Sequence, residues 1–154
     1  MDEHDRFSTA DLLTLLAIPA EGRMVTFGSA GAAHALKIAA ERPDVLIVVC
    51  ATDPETITKI SAYTLAAKID NLVVGDTPAG PLVDRALCVD FLAAIEPQHL
   101  VMLRTAMLPG GYAIFAESEK PAAAPLAEKL RTLGYAVADA LDGALPQATV
   151  IRAR

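Results

Sequence analysis

Met24-Val25-Thr26-Phe27-Gly28-Ser29-Ala30-Gly31-Ala32 reads as an apolar strand running into a turn of small residues that opens a helix. A turn of this kind lets a ligand approach the backbone closely. It also aims the unsatisfied N–H groups of the helix's first turn at that ligand. Outward from this stretch, apolar runs alternate with helical periodicity, the pattern of a doubly wound α/β sheet.

Upstream, residues 8–20 carry Leu12, Leu13, Leu15, Leu16 and Ile18, a helix with Ser8 or Thr9 as N-cap that ends before Pro19. Glu21-Gly22-Arg23 then turns into the first strand, 24–27. Downstream, an alanine-rich helix over about 31–41 leads to Val45–Cys50, apolar without alternation, as a strand covered on both faces reads. Asp53-Pro54-Glu55 starts a helix to about Lys68, with a capping carboxylate, proline at the first position and an acid in the first turn. Ile69–Val74 predicts the third strand and Arg85–Phe91 the fourth. A helix over about 97–108, a Leu108-Pro109-Gly110-Gly111 turn and a fifth strand at 112–116 follow. The helix at 121–133 is stopped by Gly134, and strands at 135–140 and 148–153, joined by Asp142-Gly143, form an antiparallel pair.

The composition bounds the rest. At 154 residues, 53% hydrophobic and 21% charged, the chain predicts a single globular domain with residues 1–7 as a flexible start. A net charge of −6 and the lack of a basic cluster exclude a nucleic-acid footprint. Met1-Asp2-Glu3-His4-Asp5-Arg6 lacks the order of a signal peptide, and the longest apolar run is far short of the ~20 residues that span a bilayer. A cytoplasmic protein without a membrane partner is the expectation. Cys50 and Cys88 end strands on either side of the first, about two strand spacings apart, which predicts reduced, half-buried thiols. No His/Cys group has metal-ligand spacing, so no metal is expected.

The order of elements resembles a class I S-adenosylmethionine-dependent methyltransferase. The resemblance implies a three-layer, mostly parallel seven-stranded sheet with an antiparallel last strand, of Rossmann-like type. Three stretches carry it: Met24–Ala32 in place of the glycine-rich first motif, Gly75-Asp76 ending the third strand, and Leu108-Pro109-Gly110-Gly111 before the fifth. It implies S-adenosylmethionine as cofactor, with Gly28, Ser29, Ala30, Gly31, Ala51, Asp53, Asp76 and Thr77 as cofactor-binding positions. Asp76 stands where the family's adenine-contacting acid often sits; the other reading is a turn residue capping Thr77-Pro78.

The departures from the family pattern are informative. Gly28 matches the first glycine, but Ala30 and Ala32 replace the other two and Gly31 falls between them. Thr26 stands where an acid is usual two positions earlier, and Ala51 or Cys50 where the ribose-holding acid is usual. Ribose hydroxyls without that acceptor lose on the order of 1–3 kcal/mol, about ten- to a hundredfold in affinity. Asp53 could reach that role from two residues further on, although capping the helix before Pro54 is a sufficient explanation for it. Asp84 and Asp90 bracket the fourth strand, His34 and His99 read as surface residues, and no catalytic residue stands out.

Two functions follow as expectations. One is a small methyltransferase-like enzyme with a small-molecule acceptor. The other is a catalytically inactive binding or assembly module with a protein partner, and a homo-oligomer would supply the missing lid. Dinucleotide binding fits less well, because Gly28–Ala33 lacks G-x-G-x-x-G spacing.

Overall fold

The computed structural model describes residues 8–51, 53–75, 82–90, 96–117, 123–140 and 149–154. In chain order the elements are α1 (Thr9–Leu16), β1 (Arg23–Phe27), α2 (Gly28–Glu41), β2 (Leu46–Cys50), α3 (Pro54–Ala67) and β3 (Leu72–Gly75). They continue with β4 (Val83–Val89), α4 (Pro97–Ala106), β5 (Met107–Glu117), α5 (Ala123–Thr132), β6 (Val137–Ala140) and β7 (Thr149–Ala153). Seven strands form one sheet in the order β3-β2-β1-β4-β5-β7-β6. The first five strands run parallel, and β7 is antiparallel to both β5 and β6. The doubly wound sheet with an antiparallel last strand is thus present as expected.

Strand alternation divides the core in two. Met24 and Thr26 of β1 face one side, where Leu12 and Leu16 of α1, Ala35 and Ile38 of α2 and Ile60 of α3 close over them. Val25 and Phe27 face the other, against Leu100 and Leu103 of α4 and Leu130 of α5. Phe27 and Phe115 are fully buried there, each stabilising the fold by roughly 1.5–3 kcal/mol. Tyr135 meets Phe115 edge-on at 6.2 Å and donates its hydroxyl to the Leu100 carbonyl, tying α4 to the strands beyond α5. Gly134, at φ 94, ends α5: the Gly134 N–H reaches the Arg131 carbonyl and the Tyr135 N–H the Leu130 carbonyl.

The structure corrects several boundaries. Helix α2 begins at Gly28, not near residue 31, so the small residues form its first turn instead of a loop before it. The Leu108–Gly111 stretch lies inside β5: Val83 pairs with Met107 and Arg85 with Tyr112, so the turn is a bulge in a strand. Strand β4 spans 83–89, which places Asp84 within it, where its carboxylate accepts the Arg23 N–H at 2.9 Å. Helix α1 stops at Leu16, with Ala17 in a left-handed conformation. Its last carbonyls are taken up by side chains. The Tyr112 hydroxyl bonds Leu15 and Leu16, while the Arg85 guanidinium bonds Leu16 and Ala17 and lies 4.0 Å over the Tyr112 ring. Asp142-Gly143 lies outside the described residues.

One crossover is unusually short. Helices connect β1 to β2, β2 to β3 and β4 to β5, but only residues 76–82 join Gly75 to Val83, although β2 and β1 lie between β3 and β4. On the sheet face opposite α2 and α3, Val73 is left 49% exposed, and Leu46 and Val48 are half-buried.

Two local features are open to test. A Cβ on Gly111 would stand 2.9 Å from the carbonyl oxygens of Asp84 and Leu108, whereas one on Gly110 (φ 81) would meet nothing within 4 Å. Gly111→Ala should therefore destabilise by about 1–3 kcal/mol through overpacking. Gly110→Ala should destabilise by about 1–2 kcal/mol through backbone strain alone. Chemical denaturation separates the two.

Arg42 forks onto Asp44 at 2.9 and 3.0 Å and bonds the Ile18 and Pro19 carbonyls, while Asp44 also accepts the Glu21 N–H. The Arg42 hydrogen bonds, and then that N–H, hold the Asp44 carboxyl well below the usual range. A depressed folded pKa contributes stability above the unfolded value that is lost as pH falls. The gap in thermal stability between the native chain and Asp44→Asn should be steady near neutrality and narrow progressively below about pH 4.

Candidate functional site

Strand order reverses at β1, which has β2 on one side and β4 on the other. In an open parallel sheet the crevice beyond the strand ends at such a point is where ligands bind. Phe27 is in register with Cys50 on one side and Cys88 on the other, so Gly28 and Ala51 leave the sheet side by side, next to Val89 at the end of β4.

Gly28, at φ 80, carries β1 straight into α2. Phe27 is the N-cap residue and makes no side-chain capping hydrogen bond, and the first turn carries no acid. The N–H groups of Gly28, Ser29, Ala30 and Gly31 therefore form a positively polarised end at the crevice. Ser29 is exposed, Gly28 and Ala30 are half-buried and Gly31 is buried. A Cβ on Gly31 would lie 3.4 Å from Thr26 Cβ and 3.8 Å from Thr26 Oγ1. That hydroxyl is fully buried and has no hydrogen-bond partner. Leaving such a group unsatisfied costs about 1–3 kcal/mol, which valine, of the same shape, would avoid.

Ala51 is buried, and its N–H donates to the Gly75 carbonyl at 3.0 Å, joining the ends of β2 and β3. No carboxylate stands at that position. Asp53 is exposed and caps α3, accepting from the Thr56 hydroxyl at 2.8 Å and the Thr56 N–H at 3.2 Å. Those bonds, the hydroxyl's first, lower its carboxyl below the ordinary range. Asp90 is exposed just past β4, at φ 50, with its N–H on the Ala116 carbonyl. Asp76 and Thr77 lie outside the described residues.

The structure therefore brings Gly28–Gly31, Ala51 and Asp53 to one edge, and commits Asp53 to its helix cap. His34 is corrected: it is buried, not superficial, at 1% exposure, with Nδ1 2.9 Å from the Thr9 hydroxyl of α1. Its spacing from Gly31, Ala35 and Ile38 places it on the inner stripe of α2, a signal present in the sequence. Neither cysteine is in a disulfide, and both are buried rather than half-buried. Burial, then the charges of Glu117 and Cys50, raises the Cys88 thiol well above its ordinary pKa, which favours the neutral thiol over the thiolate. Among the described residues no group of three or more His, Cys, Asp or Glu side chains could hold a metal ion, and no helix is long and apolar enough to cross a membrane. The edge offers backbone donors and a closely approachable first turn, a binding geometry with no general base placed in it among the described residues.

No protein-family model matches the sequence, and neither does any curated protein. Solved structures do match the fold. A SAM-dependent methyltransferase from Aquifex aeolicus superposes with a TM-score of 0.80 at 12% identity, over 96% of this chain and 89% of that one. A chain from the complex between a methyltransferase activator and a methyltransferase of Haloferax volcanii gives 0.77 at 17% identity, over 99% and 90%. A precorrin-6y C5,15-methyltransferase from Geobacter metallireducens gives 0.71 at 16% identity, over 94% and 86%. At such identities the likeness is one of architecture, and the chain has the fold of the class I S-adenosylmethionine-dependent methyltransferases.

Proposed function

We propose that the crevice at the ends of β1 and β2 binds S-adenosylmethionine and that the protein methylates a small molecule. The observation that supports this most is the uncapped first turn of α2, entered through Gly28 at the point where strand order reverses. The nearly complete overlap with methyltransferase structures is consistent with it. The amides of Gly28–Gly31 would receive the ligand's anionic end, and Gly31 lets it come close. The fit is partial, because Ala51 offers the ribose hydroxyls no acceptor.

Bound there, the cofactor would supply a methyl group on a sulfonium, open to attack by an acceptor's lone pair. The chain's part is orientation: alignment and proximity account for most of such a transfer, so the lack of a placed general base is compatible with it. A second reading, an inactive module for a protein partner, is favoured by one specific observation. The side chain that would hold the ribose is missing at Ala51, and Asp53 is occupied by Thr56.

Calorimetry and thermal unfolding with S-adenosylmethionine, S-adenosylhomocysteine and NAD as control separate these readings. Ligand at a hundredfold its Kd should stabilise the fold by about 2.7 kcal/mol. A shift with the sulfur nucleosides alone supports the enzyme; none at millimolar ligand refutes it. Ala51→Asp should tighten binding of both nucleosides by about tenfold or more. Thr26→Val should raise stability by about 1 kcal/mol while lowering nucleoside affinity. Unchanged affinity would remove the hydroxyl from the site.

A further inference from the structure

The first turn of α2 (Gly28–Glu41) is equipped with donors and is short of acceptors. Its opening N–H groups receive no side-chain cap from Phe27, and no acid stands among its first residues. A second, independent donor lies beneath them. Thr26 is 0% exposed, and its Oγ1 has no hydrogen-bond partner. That oxygen stands 3.8 Å from where a Cβ of Gly31 would be, so glycine leaves the hydroxyl facing the turn rather than a side chain. Ser29, exposed in the same turn, adds another hydroxyl. Acceptors are lacking: Thr26 and Ala51 bring no carboxylate, and the Asp53 carboxylate is held by Thr56.

We propose that this turn binds a phosphoryl group, as free phosphate or a phosphate monoester, with the amides of Gly28–Gly31 and the buried Thr26 hydroxyl as donors. The donor set selects that chemistry. A ligand's ammonium or ribose hydroxyls need acceptors, which the turn does not offer. Phosphate oxygens accept, number at least three and carry nearly two negative charges at neutral pH. They therefore engage several diverging donors and the positive end of the helix at once, where a carboxylate has two oxygens and one charge. Asp90, exposed just past β4, opposes an anion, so its charge belongs in the test. Phosphate binding here does not require nucleoside binding; the two ligands would compete for the same amides.

Calorimetry and thermal unfolding with inorganic phosphate, against sodium chloride at equal ionic strength and without nucleosides, test it. Phosphate should bind saturably and raise the Tm where chloride does not. Adenosine 5′-monophosphate binding more tightly than phosphate would identify an ester as the occupant, and equal or weaker binding free phosphate. Ser29→Asp puts a carboxylate into the turn, so it should weaken phosphate binding about fivefold or more while raising the Tm of the unliganded chain. Thr26→Val should weaken binding about tenfold without loss of stability, and Asp90→Asn should tighten it. A response to phosphate no greater than that to chloride would overturn the proposal. Affinity unchanged by Ser29→Asp or by Thr26→Val would also overturn it, as the mark of an adventitious ion only. Nucleosides that fail while phosphate binds sink the cofactor reading alone, and the reverse sinks this one alone.

Discussion

Gly28 is the constraint on which the rest depends. β1 is buried on both faces and flanked by parallel strands on both edges, so the chain has to leave it abruptly. A residue at φ 80 turns it directly into α2 without an intervening loop. Glycine adopts that conformation at no steric cost, whereas a side chain there is strained. Because the turn is so tight, the first amides of α2 are fixed relative to the sheet. Whatever binds at them meets a rigid edge.

The same tightness explains what lies beneath. Gly31 sits over Thr26 with the closeness that a missing Cβ permits, and the Thr26 hydroxyl is enclosed without a partner. A purely structural core would favour valine at this place. Thr26 and Ala51 place no carboxylate at this edge, which keeps the backbone donors of the first turn of α2. Binding geometry and chemical equipment are thus separable within one fold.

Much of this was legible in the sequence, and for identifiable reasons. Val45–Cys50 and the closing strand pair are apolar runs bounded by turn residues, so these strands followed from their spacing, while the arrangement of the sheet followed from the resemblance to methyltransferases. The start of α2 was not legible, because Gly28-Ser29-Ala30 reads equally as a loop and as a first helical turn; only the backbone angle decides. The bulge at Leu108–Gly111 was hidden similarly, since proline and two glycines mark a turn whether or not the flanking strand continues through it. His34 was misplaced because residue type was weighed above helical phase. Asp53 was ambiguous on paper, and Thr56 resolves it as a cap.

The seven-residue crossover between β3 and β4 has a dynamic consequence. β2 and β3 have one well-covered face and one thin one. Resistance to opening follows buried apolar contact, so it should fall from the β4–β5 centre towards β3. The protein is then a graded solid, firm at one end of its sheet and yielding at the other. Backbone amides of β3 would trade hydrogen for deuterium through small excursions, while those of β4 would wait for the whole fold to come apart.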